Sequence, residues 1–209
     1  MRFLMTLASV ALLARVAAAA PLAGAPATIE IDRRSDAVVV VFREVLGEMG
    51  GIDRGPTLTV YGDGRMVAHY PRYMKRAGDY ERRLGPAEVD ALVGSLAAKG
   101  VLDFDAPTVR GAARASLIAS RERARAANTP IELFEVSDAS TTVIEVNLDR
   151  YHAGTPGARE VRRLAKRVAW TALRSDAQRH PDVPALRDLA AAEQELRALR
   201  EHPGFTRVR

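Results

Sequence analysis

Along the chain the spacing of apolar residues switches between a period of two and a period near 3.6, and each switch marks an element. Ala37-Val38-Val39-Val40-Val41-Phe42 is apolar on both parities, the pattern of a strand buried on both faces. Thr28 to Ile31 alternates ahead of it as a shorter strand, and four glycines within Gly47 to Gly55 predict a loop. Thr57–Tyr61 and Met66–Tyr70 then flank Gly62-Asp63-Gly64-Arg65. An Asp-Gly centre suits a type I′ turn, whose two positive-φ positions follow strand twist. That turn pairs Val60 with Val67, Leu58 with His69 and Tyr61 with Met66. One face then carries Leu58, Val60, Val67 and His69. The other carries Thr57, Thr59, Tyr61, Met66, Ala68 and Tyr70.

Pro86 to Lys99 reads as a helix, with Val89, Leu92, Val93 and Leu96 in one inward stripe. Pro86 suits its first turn, Gly100 its left-handed exit, and Lys99 complements its dipole. Asp105 to Asn128 is rich in Ala and Arg, with Leu117 and Ile118 as its large apolar residues. It is either a loosely attached helix or a mobile insertion. Pro130 to Val136 and Thr141 to Leu148 form a second strand pair around Ser137-Asp138-Ala139-Ser140. Ala158 to Leu173 fits a helix with Val161, Leu164, Ala165, Val168, Ala172 and Leu173 inward. Asp182 and Pro184 open a last helix whose Leu189, Ala192, Leu196 and Leu199 make a seam for its own domain or for another copy. The order predicts an α+β domain over 28–175, an antiparallel sheet built from hairpins with helices packed on one face, followed by a C-terminal helix over 182–203.

The first residues predict processing rather than structure. Arg2 supplies a positive start, Phe3 to Leu13 an apolar run, and Ala17 and Ala19 the small residues of a cleavage site. An eleven-residue apolar run falls short of the roughly 20 that span a bilayer. Residues 1–19 therefore read as an export signal and 20–27 as a leader, which places the mature chain in the periplasm or outside the cell. Without Arg2 and Arg15 the net charge falls from +5 to +3, so global charge carries little argument. Of 31 basic residues 28 are Arg, a skew that GC-rich coding explains. The 209 residues include no cysteine, which excludes disulfides, thiolate metal sites, thiol nucleophiles and lipid attachment through cysteine.

The hairpin Leu58-Thr59-Val60-Tyr61-Gly62-Asp63-Gly64-Arg65-Met66-Val67, the helix opening Leu84-Gly85-Pro86-Ala87-Glu88 and the turn Val136-Ser137-Asp138-Ala139-Ser140-Thr141-Thr142 together resemble a group of uncharacterised secreted bacterial domains. The likeness spans Ala37 to Leu148 and implies a fold and secretion, without a mechanism. Many of those domains carry cysteine before the first hairpin, where Gly50 to Pro56 has none.

Motifs for chemistry are sparse. His69, His152, His180 and His202 lack metal-ligand spacing, and Asp103-Phe104-Asp105 lacks the other ligands of a calcium loop. Ser95 lies inside a helix rather than on a nucleophile elbow, and the glycines of 47–55 lack the Lys-Ser/Thr of a phosphate loop. No metal or cofactor is implied. A Ser/His/Asp set could still assemble in space, for example around His69 with Asp63 or Asp79. The sharper feature runs from Tyr70 to Arg83. Tyr70, Tyr73 and Tyr80 interleave with Arg72, Lys75, Arg76, Arg82 and Arg83 against Asp79 and Glu81, a combination that neutralises phosphate or sulfate while rings stack on bases or sugars. Arg159, Arg162, Arg163, Lys166 and Arg167 read as a solvated helix side. Tyr61 and Met66, with Tyr70, would form a partner patch if their face is bare. The expectation is an exported, non-enzymatic binding domain for an anionic envelope or extracellular polymer. The alternatives are a small cofactor-independent hydrolase and a structural envelope protein that self-associates through the Leu189–Leu196 seam.

Overall fold

A computed structural model of the chain describes residues 27–46, 55–129, 139–155 and 157–208. The export signal, most of the leader, most of the 47–55 loop and the strand expected over Pro130–Val136 lie outside the described residues. Strands β1 (Thr28–Glu30), β2 (Val38–Val45), β3 (Thr57–Tyr61), β4 (Arg65–Tyr70) and β5 (Gly78–Arg83) come first, and β2 to β5 form a meander. Helices α1 (Pro86–Ala98) and α2 (Ala106–Ala126) then carry the chain back to β6 (Thr141–His152), which pairs with β2. β7 (Val161–Thr171) occupies the other edge of β6, and β1 extends the β2 side at its far end. Helices α3 (Leu173–Arg179) and α4 (Pro184–Arg200) follow, and β8 (Thr206–Arg207) closes onto β5. Every pairing among these strands is antiparallel, and the architecture is the α+β fold expected from the order of elements.

One face of the sheet is the core. Phe42, Leu58, Val60, Met66, Ile144 and Trp170 project into it, meeting Val89 and Leu96 of α1 and Leu186, Leu189 and Leu196 of α4. Leu189, Ala192 and Leu196 of the expected α4 seam are therefore buried within this chain, and Leu199 is half-buried. Val39 and Val40 are both buried because the β2–β3 register shifts between Val38 and Val40, so one irregularity rather than a fully covered strand explains the apolar run.

The first hairpin departs from the expected register by one residue. Gly64 N–H donates to Tyr61 O at 3.0 Å, and of Gly62, Asp63 and Gly64 only Gly64 has a positive φ, at 87°. A type I′ turn needs two such residues, so the connection is instead a three-residue loop ending in a left-handed glycine. Val60 now faces Met66, Leu58 faces Ala68, and Thr57 faces His69. Because strand side chains alternate, that single step exchanges the faces of β4. Met66, Ala68 and Tyr70 join the core, while Val67 and His69 turn to the other face with Tyr61.

Most of the stretch expected as a helix over Ala158 to Leu173 is instead the strand Val161–Thr171. Its apolar residues fit either period, but Leu164, Val168 and Trp170 also share one parity. Pairing with β6 runs from Thr141↔Thr171 to Tyr151↔Val161. Satisfying a long ladder outweighs local propensity. Val161 is exposed as a result, and Ala172, at φ 58°, bends the chain into α3. The open choice over Asp105–Asn128 resolves as a helix. Asp105 accepts Thr108 N–H at 3.0 Å as its cap, which holds the Asp105 carboxyl below its ordinary value. Leu117 and Ile118 face solvent, and α2 buries Val109 and Ser116 instead.

Charges are buried where α4 crosses β2. The Arg200 side chain is 3% exposed, and its Nη2 lies 2.6 Å from Glu44 Oε2. Arg197 bridges Glu44 and Glu193, and the buried Glu193 also meets Arg174 Nε at 3.3 Å. Tyr70 OH donates to Arg200 O at 3.1 Å, which ties β4 to the same point.

Two changes test this packing. A Cβ at Gly62 would lie 1.7 Å from Asp32 O, so Gly62→Ala is expected to lower the thermal midpoint sharply, whereas Gly94→Ala, which meets nothing within 4 Å, should raise it slightly. In urea unfolding, Arg200→Met should cost about 3 to 5 kcal/mol, because it leaves a buried carboxylate short of its partner.

Candidate functional site

The Tyr70–Arg83 stretch folds into two different surfaces. Residues 71–77 make a lobe of two successive turns, in which Met74 N–H donates to Pro71 O at 2.9 Å and Ala77 N–H to Met74 O at 3.0 Å. Pro71 is buried and Met74 packs against the core, so the lobe is anchored from beneath. Arg72, Lys75 and Arg76 are exposed, and Tyr73 is 50% exposed. Tyr70 is buried, with the Tyr80 ring edge-on at 5.8 Å, and the Arg76 guanidinium lies 5.2 and 4.8 Å from the two ring centres. The lobe therefore has an aromatic base of buried Tyr70 and half-buried Tyr80, and a cationic rim with no acidic residue between Pro71 and Gly78.

Alternation along β5 separates the remaining two arginines. Arg83 lies on the open face and reaches Asp63 at 3.2 Å, so its charge is matched. Arg82 turns to the helix side, away from the lobe rim. The patch of Tyr61 and Met66 does not form, since Met66 is fully buried and Tyr61 lies on the opposite face beneath Arg65, 3.7 Å from its ring centre. Lys166 donates to Phe104 O at 2.7 Å, Arg167 meets Glu145 at 3.4 Å, and Arg162 meets Glu160 at 3.4 Å, so the second basic group is a strand edge knitted to its neighbours.

Two contacts that involve a histidine bear on hydrolytic chemistry. His69 Nδ1 lies 2.6 Å from Asp79 Oδ1 across β4 and β5, while Asp63 is engaged by Arg83 and by the Arg65 N–H. The second contact was invisible in the sequence. Ser116 Oγ donates to Asp182 Oδ1 at 2.6 Å, and His180 Nδ1 lies 3.1 Å from that Ser116 Oγ. The residue types are those of a triad, but their order is not. A nucleophilic serine gives its proton to histidine, whose other nitrogen is held by the carboxylate. Here the serine is in the middle and its one proton goes to the carboxylate, so the contact pins α2 to the α3–α4 connection. Asp103 and Asp105 are likewise engaged, Asp103 by Tyr151 OH at 2.6 Å and Asp105 by its helix. Burial and the Asp103 charge push the Tyr151 phenol far up, which keeps it a donor.

Two of the cavities among the described residues lie where helices meet the sheet. One of about 390 Å³ borders the buried ion cluster and is lined by Ser140, Thr142, Ser175 and Arg197. Glu193 Oε2 and Arg197 Nε beside it lack hydrogen-bond partners, but both atoms are out of reach of solvent, so they offer a ligand nothing. No family model, curated protein or solved structure matches the chain.

The Ser116 contact makes a pH prediction. Its hydroxyl donates to the charged form of Asp182 and holds that carboxyl below its ordinary value of 3.8. A depressed value adds stability above pH 3.8 that is lost as pH falls through the folded value. Ser116→Ala should therefore lower the thermal midpoint at pH 7 and lower it much less at pH 3. An equal loss at both pH values would contradict the linkage.

Proposed function

We propose that this chain is an exported, non-enzymatic binding domain that holds an anionic polymer of the envelope or the extracellular space through the 71–77 lobe. The observation that carries the reading is the lobe itself, where Arg72, Lys75 and Arg76 stand exposed beside Tyr73 on a buried aromatic base. Polyanion binding draws most of its affinity from phosphate or sulfate neutralisation with counterion release, and an exposed ring adds stacking on sugars or bases. An anchored lobe also loses less conformational freedom on binding than a floppy one. The residue pattern of 1–19 supports export, and among the described residues no helix is long and apolar enough to cross a membrane. The inverted order of Ser116, His180 and Asp182 favours binding over hydrolysis.

Retention on a heparin column at several salt concentrations tests the proposal. The protein should elute earlier as salt rises, and Arg72→Ser with Lys75→Ser should lower the slope of log affinity against log salt by roughly 1.5. Tyr73→Ala should weaken retention without changing that slope. If the double variant elutes with the wild type at every salt concentration, the lobe is not the binding surface.

A further inference from the structure

Arg82, separated from the lobe by strand alternation, lines a groove of about 460 Å³ between the end of β5, α1 and the last turns of α4. Leu84, Leu92 and Leu199 make its apolar floor, and the exposed Ala91 and Ala198 stand at its rims. Both acids in the wall are already engaged. Glu195 Oε2 takes the Lys99 ammonium and the Ser95 hydroxyl, each at 2.7 Å, and Glu88 Oε2 accepts Gly85 N–H at 2.7 Å.

The two donors in the wall are less well matched. The Arg82 side chain is only 21% exposed, donates no hydrogen bond among the described residues, and has its nearest acid, Glu88 Oε1, at 4.0 Å. A half-buried guanidinium gains from a charge-assisted acceptor. His202 Nδ1 accepts Gly204 N–H at 3.0 Å, which leaves the proton of the neutral ring on Nε2, a second donor. A groove with an apolar floor, acids each engaged through one oxygen and a guanidinium whose nearest acid is 4.0 Å away complements a molecule with one anionic head and one apolar tail.

We infer that this groove binds a medium-chain fatty carboxylate, its head on Arg82 and His202 and its acyl chain along Leu84, Leu92 and Leu199. The inference is independent of the lobe, whose cations lie elsewhere, so either can fail without the other.

Isothermal titration of the full chain with decanoate, below its micellar concentration, tests it. Wild type should bind saturably with a stoichiometry near one. Arg82→Gln should weaken decanoate at least tenfold while leaving the weaker binding of decanol unchanged. Ala91→Trp, at an exposed helix position that leaves the core intact, should fill the groove and abolish both. Absence of saturable decanoate binding to the wild type overturns the inference, as does decanoate binding that both variants retain, which would mark non-specific adsorption.

Discussion

Charge buried beneath the sheet constrains the rest of the molecule. Glu44 projects from β2 into the core, where an unpaired carboxylate would cost several kcal/mol, so guanidinium groups must meet it. They come from Arg197 and Arg200, nearly one turn apart on α4, which fixes both the rotation of that helix and its position along β2. Leu189 and Leu196 are then directed into the sheet, Arg200 O is delivered to Tyr70, and the chain leaves α4 where β8 can pair with β5. The same placement brings Leu199 and His202 opposite α1 and so shapes the groove that Arg82 lines.

The hairpin shows how a local choice propagates. A three-residue loop instead of a two-residue turn moves β4 by one position, and because side chains alternate, every residue of that strand changes face. Tyr70 becomes the buried base of the lobe, with Tyr80 and Arg76 packed against it, and His69 becomes a surface residue beside Asp79. The alternation of β5 sends Arg82 and Arg83 to opposite sides of the sheet, one to a groove and the other to Asp63. A run of basic and aromatic residues that looks continuous along the chain is thus two sites in space.

Much of the fold was legible because its signals are local. The stripe of Val89, Leu92, Val93 and Leu96 with Pro86 ahead of it specifies α1 from a dozen residues, and Leu189, Ala192 and Leu196 do the same for α4. Ala158 to Leu173 reads as a helix because its apolar spacing fits both periods, and the deciding ladder is to β6, whose partners lie up to 30 residues away. The candidate site was legible in part. The cationic rim of Arg72, Lys75 and Arg76 follows from sequence spacing, since all three belong to one short connection. Ser116 with Asp182, and Arg82 with His202, are separated by 66 and 120 residues in the chain, and no spacing rule brings them together.

By itself the sequence determined the α+β class, helices α1 and α4, the chemistry missing with cysteine and the basic character of the 71–77 lobe. Each rests on composition or on contacts within a few residues, where covalent connectivity keeps neighbours close. The tertiary structure alone decided the faces of β4, the identity of β7, the burial of Glu44 with Arg197 and Arg200, and the groove around Arg82. These depend on which distant backbone offers hydrogen-bond partners and which distant charge relieves a buried one, so their free energies are set only when the sheet and helices pack together.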